Sequence, residues 1–247
     1  MFLDSYKKAI EVLSKKPFML WGLSLMGMLI AVVGGIMFGV IPGVGIAIAY
    51  LISCGMAKIY LDGLVGKEVC SDQLFIGFNK NGFRMAGAMA WKDLWVLIWA
   101  LIPIVGPVFA IIKSYEYHFV PYIMVTYPNV KATEALRVSK KLTNGLKLQM
   151  FLADICIGAI VFGVFLILSL LALIPILGIL FGLVLFALYI VIIALGPIFS
   201  GLYQSYFFAV CSGIIKPQQA PVQQAPAQQG YQPQSYQPKN YPPQNNQ

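Results

Sequence analysis

The chain has 247 residues, of which 59% are hydrophobic and only 11% are charged, and its mean hydropathy is +0.79. Because charged residues make up about 25% of soluble domains, this composition excludes a soluble protein and predicts an integral membrane protein. The formal net charge of +8 would suit nucleic acid, but the basic residues flank apolar runs, where anionic lipid headgroups are the simpler partner. We therefore expect the partner to be a bilayer with anionic inner-leaflet lipid, and no nucleic acid.

Residues 1–16 are predicted to form an interfacial amphipathic helix. Phe2, Tyr6, Ile10 and Leu13 recur at helical spacing opposite a set of lysines, and a proline then ends the pattern. The apolar run that follows has no small-residue cleavage site, so the segment does not have the pattern of a cleaved signal peptide. We expect its apolar face to lie among the headgroups while its lysines attract anionic lipid.

The motif Ile-Pro-x-(Val/Leu)-Gly occurs three times, at residues 41–45, 102–106 and 174–178, each time within an apolar stretch. Proline cannot continue a helix and glycine supplies the backbone dihedrals of a tight turn, so each copy predicts the tip of a helical hairpin. Residues 17–215 are therefore predicted to be an all-α, multispanning membrane domain. Its three predicted hairpins are residues 18–64, 86–127 and 151–213.

The number of membrane spans is predicted from Lys and Arg, which concentrate at the cytoplasmic ends of spans. The three tips carry none, whereas the N-terminus, both segments between hairpins and the C-terminal tail do. Both termini are therefore predicted to be cytoplasmic, and the number of spans to be even. Six transmembrane helices are the first prediction. Four, with the middle hairpin re-entrant, are the alternative, because re-entrant backbone is tolerated only where protein buries it.

The middle hairpin encloses a candidate intramembrane polar cluster, formed by Lys92, Asp93, Lys113, Glu116 and His118. Counted from the tip at about 1.5 Å per residue, Lys92 lies nearly level with Glu116, and Asp93 with Lys113. We expect these residues to pair across the hairpin, because an unpaired charge inside a bilayer is costly. They are candidates for a functional site; the alternative is that Lys92 and Asp93 mark the inner interface while Lys113 snorkels towards it.

The second segment between hairpins is predicted to contain a short amphipathic helix. It starts near Thr133 and stops before Asn144 and Gly145, with an apolar stripe on one side and basic residues on the other. The candidate contacts to anionic lipid are the basic residues on or beside this helix: Lys131, Arg137, Lys140, Lys141 and Lys147.

Motifs around this segment resemble an uncharacterised family of bacterial multispanning integral membrane proteins. That family has a Tyr-rich segment, then Glu-Ala-x-x-x-Ser, then Gly-x-Lys and Phe. The matching residues here are Tyr115-Glu116-Tyr117, Pro121-Tyr122-Ile123, Glu134-Ala135-Leu136, Ser139, Gly145, Lys147 and Phe151. Thr143-Asn144 replaces the usual Met-Met, and the chain is also distantly similar to the membrane domain beside some glycerophosphodiester phosphodiesterases. The resemblance implies a multi-pass protein of the bacterial plasma membrane and brings no catalytic residue.

Residues 216–247 are predicted to be a disordered cytoplasmic tail, because glutamine and proline dominate and large aliphatic residues are nearly absent. Tyr231, Tyr236 and Tyr241 begin near-identical five-residue units. We interpret the tail as a solvated tether; the alternative is a multivalent segment for homo-oligomerisation or for a protein partner.

The sequence provides no pattern for a catalytic, cofactor-binding or metal-binding site. His118 is the only histidine, no glycine-rich phosphate loop is present, and the four cysteines do not form Cys-x-x-Cys. We therefore expect no enzyme activity, cofactor or metal. Two classes of function remain: a non-enzymatic envelope or scaffold-type component with a basic cytoplasmic surface, and a small transporter or channel with a path through the middle hairpin.

Overall fold

The protein is mainly helical in the residues that the computed structural model describes, which are 2–15, 17–38, 43–79, 81–174 and 178–215. Its α-helices are α1 (Phe2–Lys15), α2 (Pro17–Phe38), α3 (Val44–Val65), α4 (Gly82–Ala100), α5 (Gly106–Glu116), α6 (Val120–Thr126), α7 (Ala132–Leu142), α8 (Lys147–Leu171) and α9 (Gly178–Cys211). Two short 3-10 helices, Ser71–Gln73 and Ile76–Phe78, lie between α3 and α4. These described residues contain no strand, which confirms the predicted all-α class.

Within the described residues, four helices are long and apolar enough to cross a membrane. They are Phe18–Ile36 in α2, Val44–Val65, Lys147–Leu171 and Gly178–Cys211. About 20 apolar residues suffice for one span, and each of these segments approaches or exceeds that length. α2 packs against α3, and α8 packs against α9. The prediction of a membrane protein is confirmed at this level.

α4 and α5 pack against each other on either side of Pro103 and are shorter. α4 has 19 residues and α5 has 11. At 1.5 Å per residue α5 is about 16 Å long, whereas the hydrocarbon core of a bilayer is about 30 Å thick. In a six-span protein α5 would have to cross the whole hydrocarbon core, but α5 alone covers only about half of its thickness.

The core lies at the ends of the long helices that are remote from the tips. The C-terminal half of α3 and the C-terminal part of α9 are buried, whereas apolar side chains nearer the tips, such as Ile46 and Leu183, are exposed. α1, α6 and α7 complete this core, and its largest fully buried side chains include Phe119, Tyr203 and Phe207. Exposed apolar residues near the tips are suited to contact lipid rather than water.

The glycine of the middle tip motif permits close backbone packing. The Gly106 N–H donates to the Ile102 carbonyl oxygen at 2.9 Å. A Cβ atom on Gly106 would lie only 2.7 Å from the carbonyl oxygen of Trp99. The positive φ of this turn, 67°, belongs to Ile104 instead. The prediction that this glycine supplies free dihedrals is therefore wrong; the motif needs a residue without a side chain.

The third copy of the motif repeats this arrangement. The Gly178 N–H donates to the Ile174 carbonyl oxygen at 2.7 Å, and a Cβ atom on Gly178 would lie 2.6 Å from the carbonyl oxygen of Ala172. In both copies, therefore, a carbonyl oxygen near the end of the preceding helix leaves no room for a side chain on the glycine. Other predicted features lie outside the described residues: Ile41, Pro42, Pro175 and the tail, 216–247.

α1 packs against the membrane domain through its small residues. Ser5, Ala9 and Val12 are buried, and the Tyr6 hydroxyl donates to the Ala153 carbonyl oxygen of α8 at 2.5 Å. Ile10, which the pattern placed on the apolar face, is exposed. Part of the helix therefore contacts protein, and its position among headgroups stays a prediction.

Arg84 in the first turn of α4 holds α6 in place. Its guanidinium donates to the carbonyl oxygens of Met124 at 2.9 Å and Val130 at 2.7 Å. Carbonyls at the end of a helix lack partners within the helix and carry partial negative charge, so a guanidinium there is favourable. This contact joins α4 to α6; α6 also packs against α3, and the Tyr122 hydroxyl donates to the Gly201 carbonyl oxygen of α9.

Candidate functional site

Glu116, the last residue of α5, is the centre of an ion-pair network. Its carboxylate accepts from Lys113 Nζ at 2.7 Å and from Lys147 Nζ at 2.6 Å. The Glu116 side chain is only 7% exposed. Burial alone raises the pKa of Glu116, but the hydrogen bonds and charges of the two lysines outweigh it and hold the pKa below its ordinary value. Glu116 is therefore ionised at neutral pH and ties α5 to the start of α8.

The main chain at Glu116 is anchored by α7. Ser139 Oγ donates to the Glu116 carbonyl oxygen at 2.7 Å and accepts from the Phe119 N–H at 3.2 Å. The Thr143 hydroxyl reaches the same carbonyl at 3.4 Å. Two residues of the motifs noted in the sequence, Ser139 and Lys147, thus both act on Glu116. They fix the turn between α5 and α6.

The charge pairs predicted across the middle hairpin are wrong. Lys92 Nζ lies 3.1 Å from Oδ1 of its neighbour Asp93, and Glu116 is paired with Lys113 and Lys147. A spacing of three residues brings Lys113 and Glu116 together on one face of α5. That face turns towards α8, whereas Lys92 and Asp93 on α4 face a cavity. Equal distance from the tip of the hairpin therefore did not determine which charges pair, because the two arms present these charges in different directions.

A cavity of about 370 Å³ lies between α3, α4, the α5–α6 region and α9. It is called here the polar cavity, after the polar side chains in its wall. Its volume is in the range of small-molecule sites. Of the five residues predicted as a polar cluster, Lys92, Asp93 and His118 line it; Lys113 and Glu116 belong to the network at α8 instead. The other polar residues of its wall are Ser53, Tyr60, Ser114, Tyr122, Ser200 and Gln204.

His118 lies in the turn between α5 and α6, with its side chain in the wall of the polar cavity, where it hydrogen-bonds to Gln204 of α9. Burial lowers the pKa of His118, and the opposing charge of Asp154 does not cancel this effect. The imidazole is therefore neutral at neutral pH. Sequence reasoning missed Gln204, although a glutamine inside a run without charges was a signal that could have found it.

Asp154, two turns into α8, is held by two tyrosines. Tyr115 donates to Oδ2 at 2.5 Å, and Tyr203 donates to Oδ1. The ring of Tyr6 packs edge-on against Tyr203, with 5.5 Å between centroids. This carboxylate thus joins α5, α8 and α9. Its partners were not evident from the sequence, because they lie 39 and 49 residues away along the chain.

α7 turns one face to the core and the other outward. It buries Ala135, Leu136 and Ser139. Four of the five predicted lipid contacts are exposed, namely Lys131, Arg137, Lys140 and Lys141. The fifth, Lys147, is engaged by Glu116. The four exposed residues, called here the basic face, are accessible to an anionic partner.

The cysteines show no sign of a shared site. Cys54 is buried, Cys211 is half-buried, and Cys70 and Cys156 are exposed, all as free thiols. Among the residues that the structure describes, no three His, Cys, Asp or Glu side chains lie close enough together to hold a metal ion. The polar cavity and the basic face therefore carry the functional interpretation.

Comparison of the chain with models of protein families, with curated proteins and with solved structures finds no match. Its function is accordingly inferred from the geometry of these two features.

Proposed function

We propose that this protein is a multi-pass component of a bacterial plasma membrane, with both termini in the cytoplasm. Four spans, α2, α3, α8 and α9, are supported by their length and apolar character. The α4–α5 hairpin enters the bilayer from the cytoplasmic side and returns, which agrees with the short length of α5. The bacterial assignment rests on the family resemblance around Glu134-Ala135, Ser139 and Lys147.

Within that membrane, the protein acts as a non-enzymatic envelope or scaffold-type component whose basic face binds anionic surfaces. The observation that carries this proposal is that some lysines are engaged in ion pairs whereas others are exposed. Lys113 and Lys147 are both ion-paired with Glu116, whereas Lys140 and Lys141 are exposed on the helix face opposite the core. Because the apolar side of α7 is buried in protein, attraction to headgroups through the basic face is electrostatic.

Recruitment of anionic vesicles tests this proposal. The full chain in phosphatidylcholine nanodiscs is mixed with vesicles of phosphatidylglycerol or of phosphatidylcholine, and the bound fraction is measured by co-sedimentation. Each lysine near an anionic surface contributes about 1 kcal/mol, so K140Q/K141Q should weaken binding to phosphatidylglycerol by about 30-fold. Binding should also decline as salt rises.

The matched control compares single substitutions: K140Q removes a lysine of the basic face, and K67Q removes an exposed lysine of the segment between α3 and α4. The two variants have the same net charge, but only K67Q keeps the basic face intact. An equal loss of binding in the two single variants would show that total charge, and not the basic face, attracts the lipid. Equal binding of the parent to neutral vesicles would remove the proposal altogether.

A second candidate is a small transporter or channel with a path through the middle hairpin. The specific observation that favours it is the convergence of Lys92, Asp93 and His118 on the polar cavity. Ionisable residues that line a cavity in a membrane protein commonly mark a substrate or ion path. Flux of a metabolite panel into liposomes containing the full chain tests it. Rates equal to those of liposomes containing D93N would argue against transport through this cavity.

A further inference from the structure

A second hollow, of about 840 Å³, lies between α3 and α4 and meets the polar cavity. The two hollows share Asp93 and Val96 in their walls. The lining of the polar cavity mixes charged and other polar side chains with apolar ones, whereas the second hollow is lined almost entirely by apolar side chains. A space with polar groups beside one that is almost entirely apolar is suited to an amphiphile rather than to a wholly polar solute.

The second hollow is called here the apolar groove. Small residues form much of its floor, including Ala47 on α3 and Ala86, Gly87 and Ala90 on α4. A Cβ atom on Gly87 would have no neighbour within 4 Å, so the absent side chain leaves open space. Leu94 also lines the groove and is exposed, so the groove opens at the surface suited to lipid contact. Its shape and chemistry suit an acyl chain.

The polar cavity offers charges of both signs. Lys92 supplies an ammonium group, and Asp93 supplies a carboxylate that accepts a hydrogen bond from Tyr50. His118 adds a neutral imidazole held by Gln204. The charged pair has no net charge, so a ligand group with one charge of each sign is favoured over a purely anionic or cationic group. A phosphate near Lys92 and an amine near Asp93 would meet this condition.

We propose that the polar cavity and the apolar groove together bind a zwitterionic phospholipid, with its phosphoethanolamine head in the cavity and an acyl chain in the groove. Lipid binding here uses the cavity that supports the second candidate function, but it does not require transport. It is also independent of the basic face, which lies on α7.

The test measures equilibrium binding of radiolabelled palmitoyl lysophosphatidylethanolamine to the full chain, delipidated in neutral detergent. Palmitoyl lysophosphatidylglycerol has the same acyl chain but no amine and serves as the comparison lipid. Salt at about 1 M suppresses attraction to exposed lysines. Groove-specific binding is defined as the amount bound by the parent minus the amount bound by G87L, in which a leucine occupies the open space.

G158L is the matched control, because Gly158 also lies in a long apolar helix and its Cβ would have no neighbour within 4 Å. We expect G87L to weaken binding of the ethanolamine lipid about tenfold and G158L to leave it unchanged. We expect groove-specific binding to favour the ethanolamine lipid over the glycerol lipid by about tenfold. D93N should abolish that preference, whereas D72N, at an exposed position, should retain it.

Equal effects of G87L and G158L would overturn the proposal, as would groove-specific binding that does not distinguish the two lipids. A D93N chain that fails to fold leaves the G87L comparison decisive, since Gly87 takes no part in the charge pair. A negative result here does not affect recruitment of phosphatidylglycerol vesicles by the basic face, which is read from K140Q/K141Q. Solute flux is likewise measured separately.

Discussion

Lys147 Nζ lies 2.6 Å from Oε1 of Glu116, which joins the first residue of α8 to the last residue of α5. Because Lys113 binds the other carboxylate oxygen, one carboxylate is paired with two lysine ammonium groups. The network fixes the base of the α4–α5 hairpin against a long apolar helix. Since both carboxylate oxygens of Glu116 are engaged by lysines, neither is available to a group in the neighbouring polar cavity.

Removing the shared acid should be more harmful than removing one base. Glu116→Gln leaves two lysines facing each other without a counter-charge, so we expect the free energy of unfolding to fall by about 3 kcal/mol. Lys147→Met leaves Glu116 paired with Lys113 and should cost about 1 kcal/mol. Unfolding of both variants in detergent measures these losses, and E134Q, which removes an exposed carboxylate, should stay within about 0.5 kcal/mol of the parent.

The double mutant E116Q/K147M checks that the two residues interact directly. Removing Lys147 from the E116Q protein takes away one of the stranded cations, so the combined loss should be smaller than the sum of the single losses. If the losses in unfolding free energy of the two single mutants simply add in the double mutant, Glu116 and Lys147 do not interact directly.

The same network predicts a pH dependence with a definite sign. The pKa of Glu116 is lower in the folded protein than its ordinary value, because the two lysines outweigh the effect of burial. Its stabilising contribution is therefore complete above the ordinary carboxyl pKa and is lost as pH falls through the lowered folded pKa. We expect the difference in unfolding free energy between parent and E116Q to be constant from about pH 6 to 8 and to narrow below about pH 4. A difference that widens on acidification would contradict the assignment.

The all-α class and the membrane character were predictable because they depend on local patterns. Runs of about 20 apolar residues predict membrane spans wherever they pack. The partners of Glu116 were not predictable, since Lys147 lies 31 residues away and the contact depends on how α7 packs against the end of α5. Lys92 and Asp93 were recognised as unusual, but their cavity also requires Gln204 and Ser53 from distant helices.

The role of the tip glycine can be tested at Gly106. A methyl group there would press against the carbonyl oxygens of Trp99 at 2.7 Å and Ala100 at 2.9 Å. We expect Gly106→Ala to lower the free energy of unfolding by about 1–3 kcal/mol, as overpacking does. Gly163→Ala is the control, because its Cβ would have no neighbour within 4 Å and alanine favours a helix interior. Denaturation in detergent compares the two; equal stability would show that the motif glycine is not required by close packing.

The proposed topology predicts which positions an impermeant maleimide reaches on intact cells. In a cysteine-free chain, Asn79→Cys and Lys131→Cys should remain unlabelled, because both belong to the charged segments that we propose to be cytoplasmic. Leu173→Cys, near the tip between α8 and α9, should be labelled and serves as the positive control. All three side chains are exposed, so protection cannot be attributed to burial within the protein.

Ile104 at the Pro103 tip decides between four spans and six. Its side chain is 96% exposed, so a cysteine there reacts unless the bilayer shields it. With α5 only 11 residues long, the tip should end inside the hydrocarbon core, and Ile104→Cys should resist the reagent from outside while Leu173→Cys reacts. Labelling of both positions at similar rates would mean that the α4–α5 hairpin crosses completely. The charged pair of Lys92 and Asp93 would then lie inside the bilayer, where only their mutual contact and the polar cavity could stabilise them.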